Sequence, residues 1–265
     1  MAPPRSGTTL LFDLLAQSPG VWTIGGESHR IIESIPKLRP DARGWESNRL
    51  TAADADEETV RRLKEGFAFF MRDRGGTRPT RALRFLEKTP RNCLRLPFFA
   101  SAFPDALFLY LYREPRETIS SMLEAWRAGT FVSYPFLPDW TGPPWSLLLV
   151  PGWRTFPRND LGEIAARQWA AATTCLLADL AQLPRQRWHV ADFERLAREP
   201  QREIERLCAW TGIEWDREVT QPLPVTRSAV TPPAPEKWRR NAKQLERVMP
   251  LIAATVEQAR AFARS

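Results

Sequence analysis

The chain has 265 residues, 43% apolar and 26% charged, which is enough for one α/β-sized domain with a full core. It has no apolar run long enough to span a bilayer, no secretory leader pattern, and three isolated cysteines that fit a reducing compartment, so a cytoplasmic globular protein is expected. A net charge of +7 raises nucleic acid as a partner, but the arginines are dispersed among acidic residues, as in Arg195-Leu196-Ala197-Arg198-Glu199, and no nucleic-acid partner is expected.

The first element is a turn, Pro4-Arg5-Ser6-Gly7-Thr8-Thr9, running into a helical pattern over Thr8–Gln17. A glycine turn that opens a helix gathers backbone N–H groups with no intrahelical partner, and these can hold an anion. Ser6, Thr8 and Thr9 add hydroxyls, Arg5 adds a permanent charge, and Gly7 allows close backbone approach. A Walker A loop would need an earlier glycine and a lysine, and both are absent. The plain alternative is a capped helix start.

A brief strand over Val21–Ile24 leads through Gly25 and Gly26 to Glu27, with a helix beginning near Ser28. A helix follows over Glu57–Asp73, then a strand over Leu83–Glu87 that ends in the basic and polar loop Lys88-Thr89-Pro90-Arg91-Asn92. The buried strand Ala106–Tyr112 delivers Arg113 at its end, and Pro115 starts a helix to Arg127 that carries Ser121.

Gly129 to Asp160 interleaves Phe131, Tyr134, Phe136, Trp140, Trp145, Trp153 and Phe156 with six prolines, which excludes a regular helix or a central strand. It is either an insertion or lid that shapes a binding pocket or a satellite apolar cluster. Helices are then expected over Asp160–Leu183, Pro200–Thr211 and Trp238–Arg264, with a strand over Gln186–Ala191 and a Pro-rich loop from Pro222 to Pro235. Alternating strands and helices imply an α/β domain over residues 1–265 with a mainly parallel central sheet covered on both faces. Ligands of such sheets collect at the carboxyl ends of the strands, where Lys88 and Arg113 fall.

The loop at Arg5–Thr9, the segment Phe85–Asn92 and the strand-to-helix run Leu107–Met122 together resemble the sulfotransferases that use 3′-phosphoadenosine 5′-phosphosulfate, in order, spacing and chemistry. The likeness is strongest to the branch that holds the tyrosylprotein sulfotransferases and many bacterial sulfotransferase-family proteins. It covers most of the chain, more loosely in the middle and the C-terminal third. It implies a P-loop-type three-layer α/β/α fold and sulfuryl transfer to a hydroxyl acceptor, releasing adenosine 3′,5′-bisphosphate without a metal. The acceptor is expected to be a small molecule, carbohydrate or lipid rather than a protein tyrosine, because the Arg, Ala and Pro richness suggests a high-GC bacterial gene.

By the same resemblance, Arg5, Ser6, Gly7, Thr8 and Thr9 hold the 5′-phosphosulfate, and Arg113 with Ser121 holds the 3′-phosphate. Lys88 stands near the leaving group with Arg5, and Glu27 is the base. His29 competes for the base role, since another branch of the superfamily uses a histidine, although two residues' separation on a helix need not bring it to the same side as Glu27. His189, in a strand-like run, reads as structural. Ser228 and Lys237, in a stretch similar to the family's late loop, are candidates for phosphate or sulfate contacts. Phe193 stands where the family carries a tyrosine, so a hydroxyl contact is missing there. The family also has an apolar strand leading into the phosphate loop, and the first strand is expected to be missing or truncated because only Met1-Ala2-Pro3 precedes Pro4. Rival readings are a nucleotide or small-molecule kinase, which would need a lysine-bearing Walker loop, and a degenerate, non-catalytic nucleotide-binding member.

Overall fold

A computed structural model describes residues 1–79, 84–226, 229–231, 234 and 236–264. In chain order the elements are α1 (Thr8–Leu15), β1 (Val21–Thr23), α2 (His29–Glu33), α3 (Glu57–Phe70), β2 (Arg72–Asp73), β3 (Arg84–Phe85), α4 (Leu96–Ala102), β4 (Phe108–Tyr112) and α5 (Pro115–Ala128). They continue with β5 (Val132–Tyr134), β6 (Trp145–Ser146), α6 (Leu161–Ala181), β7 (Trp188–Asp192), α7 (Phe193–Arg198), α8 (Pro200–Thr211), α9 (Ala242–Val248) and α10 (Ala253–Ala263).

The pairings are parallel where the sequence pattern requires it: β1 runs parallel to β3, and β4 runs parallel to β7 in register from Phe108 opposite Trp188 to Tyr112 opposite Asp192. One continuous central sheet is not what forms. Among the described residues the strands fall into three small sheets, ordered β2-β1-β3, β4-β7 and β5-β6. Along the edge of β4 away from β7, the Met1 N–H donates to Leu109 O, and Leu111 N–H donates to Met1 O at 3.0 Å. This is the bonding of a parallel strand neighbour. Pro3 and Pro4 lack the N–H that would extend it, and the backbone turns into the phosphate loop.

The β4–β7 pair is buried on both faces because alternate side chains point opposite ways. Phe108, Tyr110, Trp188 and Val190 join the larger apolar cluster, which is threaded by Ile164, Trp169, Leu176 and Leu180 of α6. Leu111 and Ala191 join a second cluster with Leu10, Leu11 and Leu15 of α1 and Ile204 and Leu207 of α8.

Three boundaries differ from the sequence reading. The helix expected to reach Asp73 stops at Phe70, because Met71 turns extended and Arg72 and Asp73 pair antiparallel with β1. The helix expected over Trp238–Arg264 is broken by a 3-10 turn at Met249–Ile252, where Pro250 supplies no backbone donor. Of the strand expected over Leu83–Glu87, Leu83 lies outside the described residues and only Arg84 and Phe85 pair.

Candidate active site

The chain passes Arg5 and Gly7 with positive φ, 70° and 91°, before α1 begins. Glycine adopts such a backbone freely, whereas an arginine there is strained and must be held by its surroundings. Gly7 is needed for space as well. A Cβ on it would lie 2.3 Å from two ring carbons of Phe193, so the ring seals the loop from behind. Phe193 also stacks under the Arg113 guanidinium, 4.5 Å from ring centroid to Cζ. The residue in the family's tyrosine position thus acts through its ring face, which joins loop and strand end.

A cavity of about 900 Å³ opens above this loop, and Arg5, Gly7, Thr8, Thr9, Glu27, His29, Arg113, Ser121 and Lys237 all line it. Residues expected from distant parts of the sequence therefore meet in one place. Arg5 Nε donates to Ser121 Oγ at 3.2 Å, and Arg113 Nη1 donates to the Arg5 carbonyl at 3.0 Å. Burial, reinforced by the neighbouring Arg113 charge, lowers the pKa of Arg5, with Glu124 opposing. Burial also lowers that of Arg113, against Glu117 and Glu194. Both remain guanidinium ions, and Arg113 Nε is buried with no hydrogen-bond partner among the described residues. Two crowded cations and an unanswered donor fit an anion.

Ser6 differs from expectation. Its buried hydroxyl donates to Pro3 O at 2.9 Å and braces the loop instead of facing the cavity. Ser228 lies outside the described residues.

At the far side of the loop, Lys88 Nζ donates to Glu27 Oε1 at 3.0 Å and to Thr9 Oγ1 at 3.3 Å. His29 Nδ1 stands 3.7 Å from Glu27 Oε2, an electrostatic contact too long for a hydrogen bond. The two base candidates, which helix geometry need not place together, do adjoin. Burial pushes the Glu27 carboxyl up, but the His29 contact and the Lys88 charge and hydrogen bond outweigh it, and its pKa falls to about 2. His189 is elsewhere, stacked on Trp210 at 5.1 Å between centroids.

Two carboxylates on α5 escaped the sequence reading. Glu117 Oε2 accepts from Arg113 Nη2 at 3.4 Å, and Glu124 Oε2 lies 2.9 Å from Lys237 Nζ. The signal was the spacing 117, 120, 121 and 124, one helix face, all four of which line the cavity. The Gly129–Asp160 segment divides its aromatic residues between two tasks. Trp145 and Trp153 are fully buried and pack edge-on at 5.5 Å, within the main core. Phe131, with Val132, Ser133 and Leu147, lines the cavity, and the Arg5 guanidinium rests 4.9 Å from the Phe131 centroid. Among the described residues no helix is long and apolar enough to cross a membrane, and no group of three or more His, Cys, Asp or Glu side chains converges on a metal site.

The fold and site bring a glycine turn, two adjoining arginines and the Glu27 carboxylate, ion-paired with Lys88, to one cavity beside a parallel strand pair. The model of the sulfotransferase family matches residues 1–217, and the chain belongs to that family. Its relatives include protein-tyrosine sulfotransferase A of Caenorhabditis elegans, 26% identical over 82% of this chain and 50% of that protein. Nodulation protein NoeE of Sinorhizobium fredii is 27% identical over 80% of this chain and 48% of its own length. The chain thus spans about half the length of these curated relatives. Among solved structures, a sulfotransferase from Alicyclobacillus acidocaldarius is 19% identical with a TM-score of 0.47, covering 96% of this chain and 94% of that one. The sulfotransferase domain from the curacin biosynthetic pathway is 17% identical with a TM-score of 0.47, covering 81% and 73%.

Proposed function

We propose that the chain transfers the sulfuryl group of 3′-phosphoadenosine 5′-phosphosulfate to a hydroxyl of a small-molecule, carbohydrate or lipid acceptor, on a P-loop-type three-layer α/β/α domain. The observation that carries this reading is the meeting of adjoining Arg5 and Arg113 with Glu27 in the lining of one cavity, with Lys88 behind as the ion-pair partner of Glu27 and a donor to Thr9. Arg113 and Ser121 would hold the 3′-phosphate. Arg5, Thr8, Thr9 and the Gly7 turn would hold the 5′-phosphosulfate, and Lys237 would meet phosphate or sulfate oxygens after leaving Glu124.

Glu27 takes the proton of the acceptor hydroxyl as its oxygen bonds to sulfur. Lys88 and Arg5 meet the charge that gathers on the 5′-phosphate as the bridging S–O bond breaks and that oxygen keeps the electron pair. The products are the sulfated acceptor and adenosine 3′,5′-bisphosphate. The present Lys88–Glu27 ion pair stores both groups in the ionic forms this chemistry uses. His29 then supports Glu27 electrostatically from 3.7 Å.

The test is calorimetric titration with adenosine 3′,5′-bisphosphate and with adenosine 5′-monophosphate. Arg113→Ala should weaken the bisphosphate by about 1.5–3 kcal/mol more than the monophosphate, because one charge-assisted contact disappears only when the 3′-phosphate is present. Arg5→Ala should weaken both. Equal losses in Arg113→Ala would withdraw the 3′-phosphate assignment. Thermal stabilisation by ATP with magnesium, and not by the bisphosphate, would favour the kinase reading. Tight bisphosphate binding without transfer of labelled sulfate to any acceptor would mark a non-catalytic member.

A further inference from the structure

Between Thr23 and Arg30, Ser28 is the sole buried residue. Before it, Gly25 has φ of 69° and its N–H donates to Thr23 Oγ1 at 3.0 Å, and nothing packs where a Cβ would stand on Gly25 or Gly26. Ser28 is thus the buried attachment next to Glu27. Ser28 occupies the N-cap of α2, where a serine hydroxyl ordinarily accepts from its own helix, and here it makes no such bond. Its hydroxyl instead donates to Glu87 Oε1 at 2.6 Å, and its backbone N–H donates to Thr89 Oγ1 at 2.6 Å.

Glu87 and Thr89 are the two neighbours of Lys88. Asn92 closes the ring, its Nδ2 donating to Glu87 Oε2 at 2.9 Å and to Ser28 Oγ at 3.3 Å. Fully buried Arg95 supports the ring from below through Asn92 Oδ1 at 3.4 Å and Glu33 Oε1 at 3.0 Å. The segment that carries Glu27 and the segment that carries Lys88 are thus joined at the residues immediately beside them, some sixty positions apart in sequence.

We propose that Ser28, Glu87, Thr89 and Asn92 form a clasp that sets the spacing between Glu27 and Lys88, with Ser28 and Thr89 as positioning residues for the base. The inference rests on the reading of Glu27 and Lys88 as catalytic groups only for its effect on turnover; the spacing itself has a separate readout. Because Ser28, Thr89 and Asn92 are buried and Glu87 is half-buried and hydrogen-bonded to two of them, removing one member leaves its partners unanswered and lets the two segments drift apart.

The experiment uses the whole chain with Ser28→Ala, Thr89→Val and Thr89→Ser. The Glu27 carboxyl is followed by carbon-13 NMR, with its resonance assigned from Glu27→Gln. Turnover is measured as bisphosphate release with 4-nitrophenol as probe acceptor. Between pH 3.5 and 6 the parent carboxyl should stay ionised, whereas in Ser28→Ala and Thr89→Val its midpoint should rise by about two pH units, into that window, as Lys88 withdraws. The same two variants should lose kcat about ten- to hundredfold while Kd for adenosine 3′,5′-bisphosphate stays within about twofold, and Thr89→Ser should restore the parent behaviour. Ser28→Ala keeps the backbone bond to Thr89 and carries the test if Thr89→Val does not fold. A Glu27 titration unchanged in the folded variants overturns the clasp. A shifted titration with unchanged turnover keeps the clasp and removes Glu27 from the base role.

Discussion

Gly7→Ala is the most direct test of how the phosphate loop is built. At φ 91° an alanine is strained by about 1–2 kcal/mol, and its Cβ would sit 2.3 Å from Cδ2 and Cε2 of Phe193. The ring cannot yield freely, because the Arg113 guanidinium covers it at 4.5 Å and it packs against the α1–α8 apolar cluster. Overpacking of this kind adds about 1–3 kcal/mol. The total, about 2–5 kcal/mol, should lower Tm by roughly 5–15 °C for a chain of this size. Moving the ring also frees Arg113, so bisphosphate affinity should fall about tenfold or more. A thermal melt and a calorimetric titration read both effects. In a Phe193→Ala background the same glycine substitution should cost only its backbone strain, so the double-mutant cycle should show a coupling of about 1–3 kcal/mol. Additive single effects, or a Gly7→Ala melt within about 1 °C of the parent, would refute the proposed contact.

Glu27→Gln should leave bisphosphate Kd within about twofold and cut turnover on the order of a hundredfold or more, measured as release of product with a probe phenol. Because the folded Glu27 carboxyl lies at about 2, below its ordinary 4.5, its contribution to stability is present above pH 4.5 and is lost as the pH falls toward 2. For the same reason kcat/KM should show no acidic limb between pH 5 and 8 from this group, and an acidic limb centred near pH 6.5 would pass the base role to an imidazole. Glu33 accepts from Arg91 and from fully buried Arg95, both at 3.0 Å. Glu33→Gln should therefore destabilise the fold by about 3–5 kcal/mol in chemical denaturation, since it strands a buried charge.

Elements whose information is local were legible in the sequence. The turn at Arg5–Thr9 and the helix it opens were readable because the glycine, the hydroxyls and the apolar helix sit in one run, and the strand-end place of Arg113 was readable because a five-residue strand delivers it. The direction of the Ser6 hydroxyl was not legible: composition shows a hydroxyl in the loop but not which way it turns, and it donates to the nearby Pro3 carbonyl. The division of the strands among three small sheets was not legible from periodicity, since pairing depends on which backbone stands beside each strand, and on the edge of β4 away from β7 it is Met1 that bonds to Leu109 and Leu111.

The least legible feature is the set of internal counter-ions. Arg113, Lys237 and Lys88 each face a carboxylate, from Glu117, Glu124 and Glu27 respectively. A search of the sequence for cations that could hold phosphate passes over acidic residues, which look unsuited to an anion site. Yet a cavity that must be stable before its polyanion arrives needs its cations partly answered from within, because burying several unpaired charges side by side is costly. Glu117 and Glu124 lie about two turns apart on one face of α5 and satisfy that need, and under the proposed function an arriving phosphate would have to displace them. Arg5 and Arg113 stand side by side, and beyond its contact with Glu117, Arg113 keeps a buried Nε donor with no hydrogen-bond partner among the described residues. Under the proposed function that unanswered donor is where an incoming phosphate would gain most, while the proton chemistry would fall to Glu27.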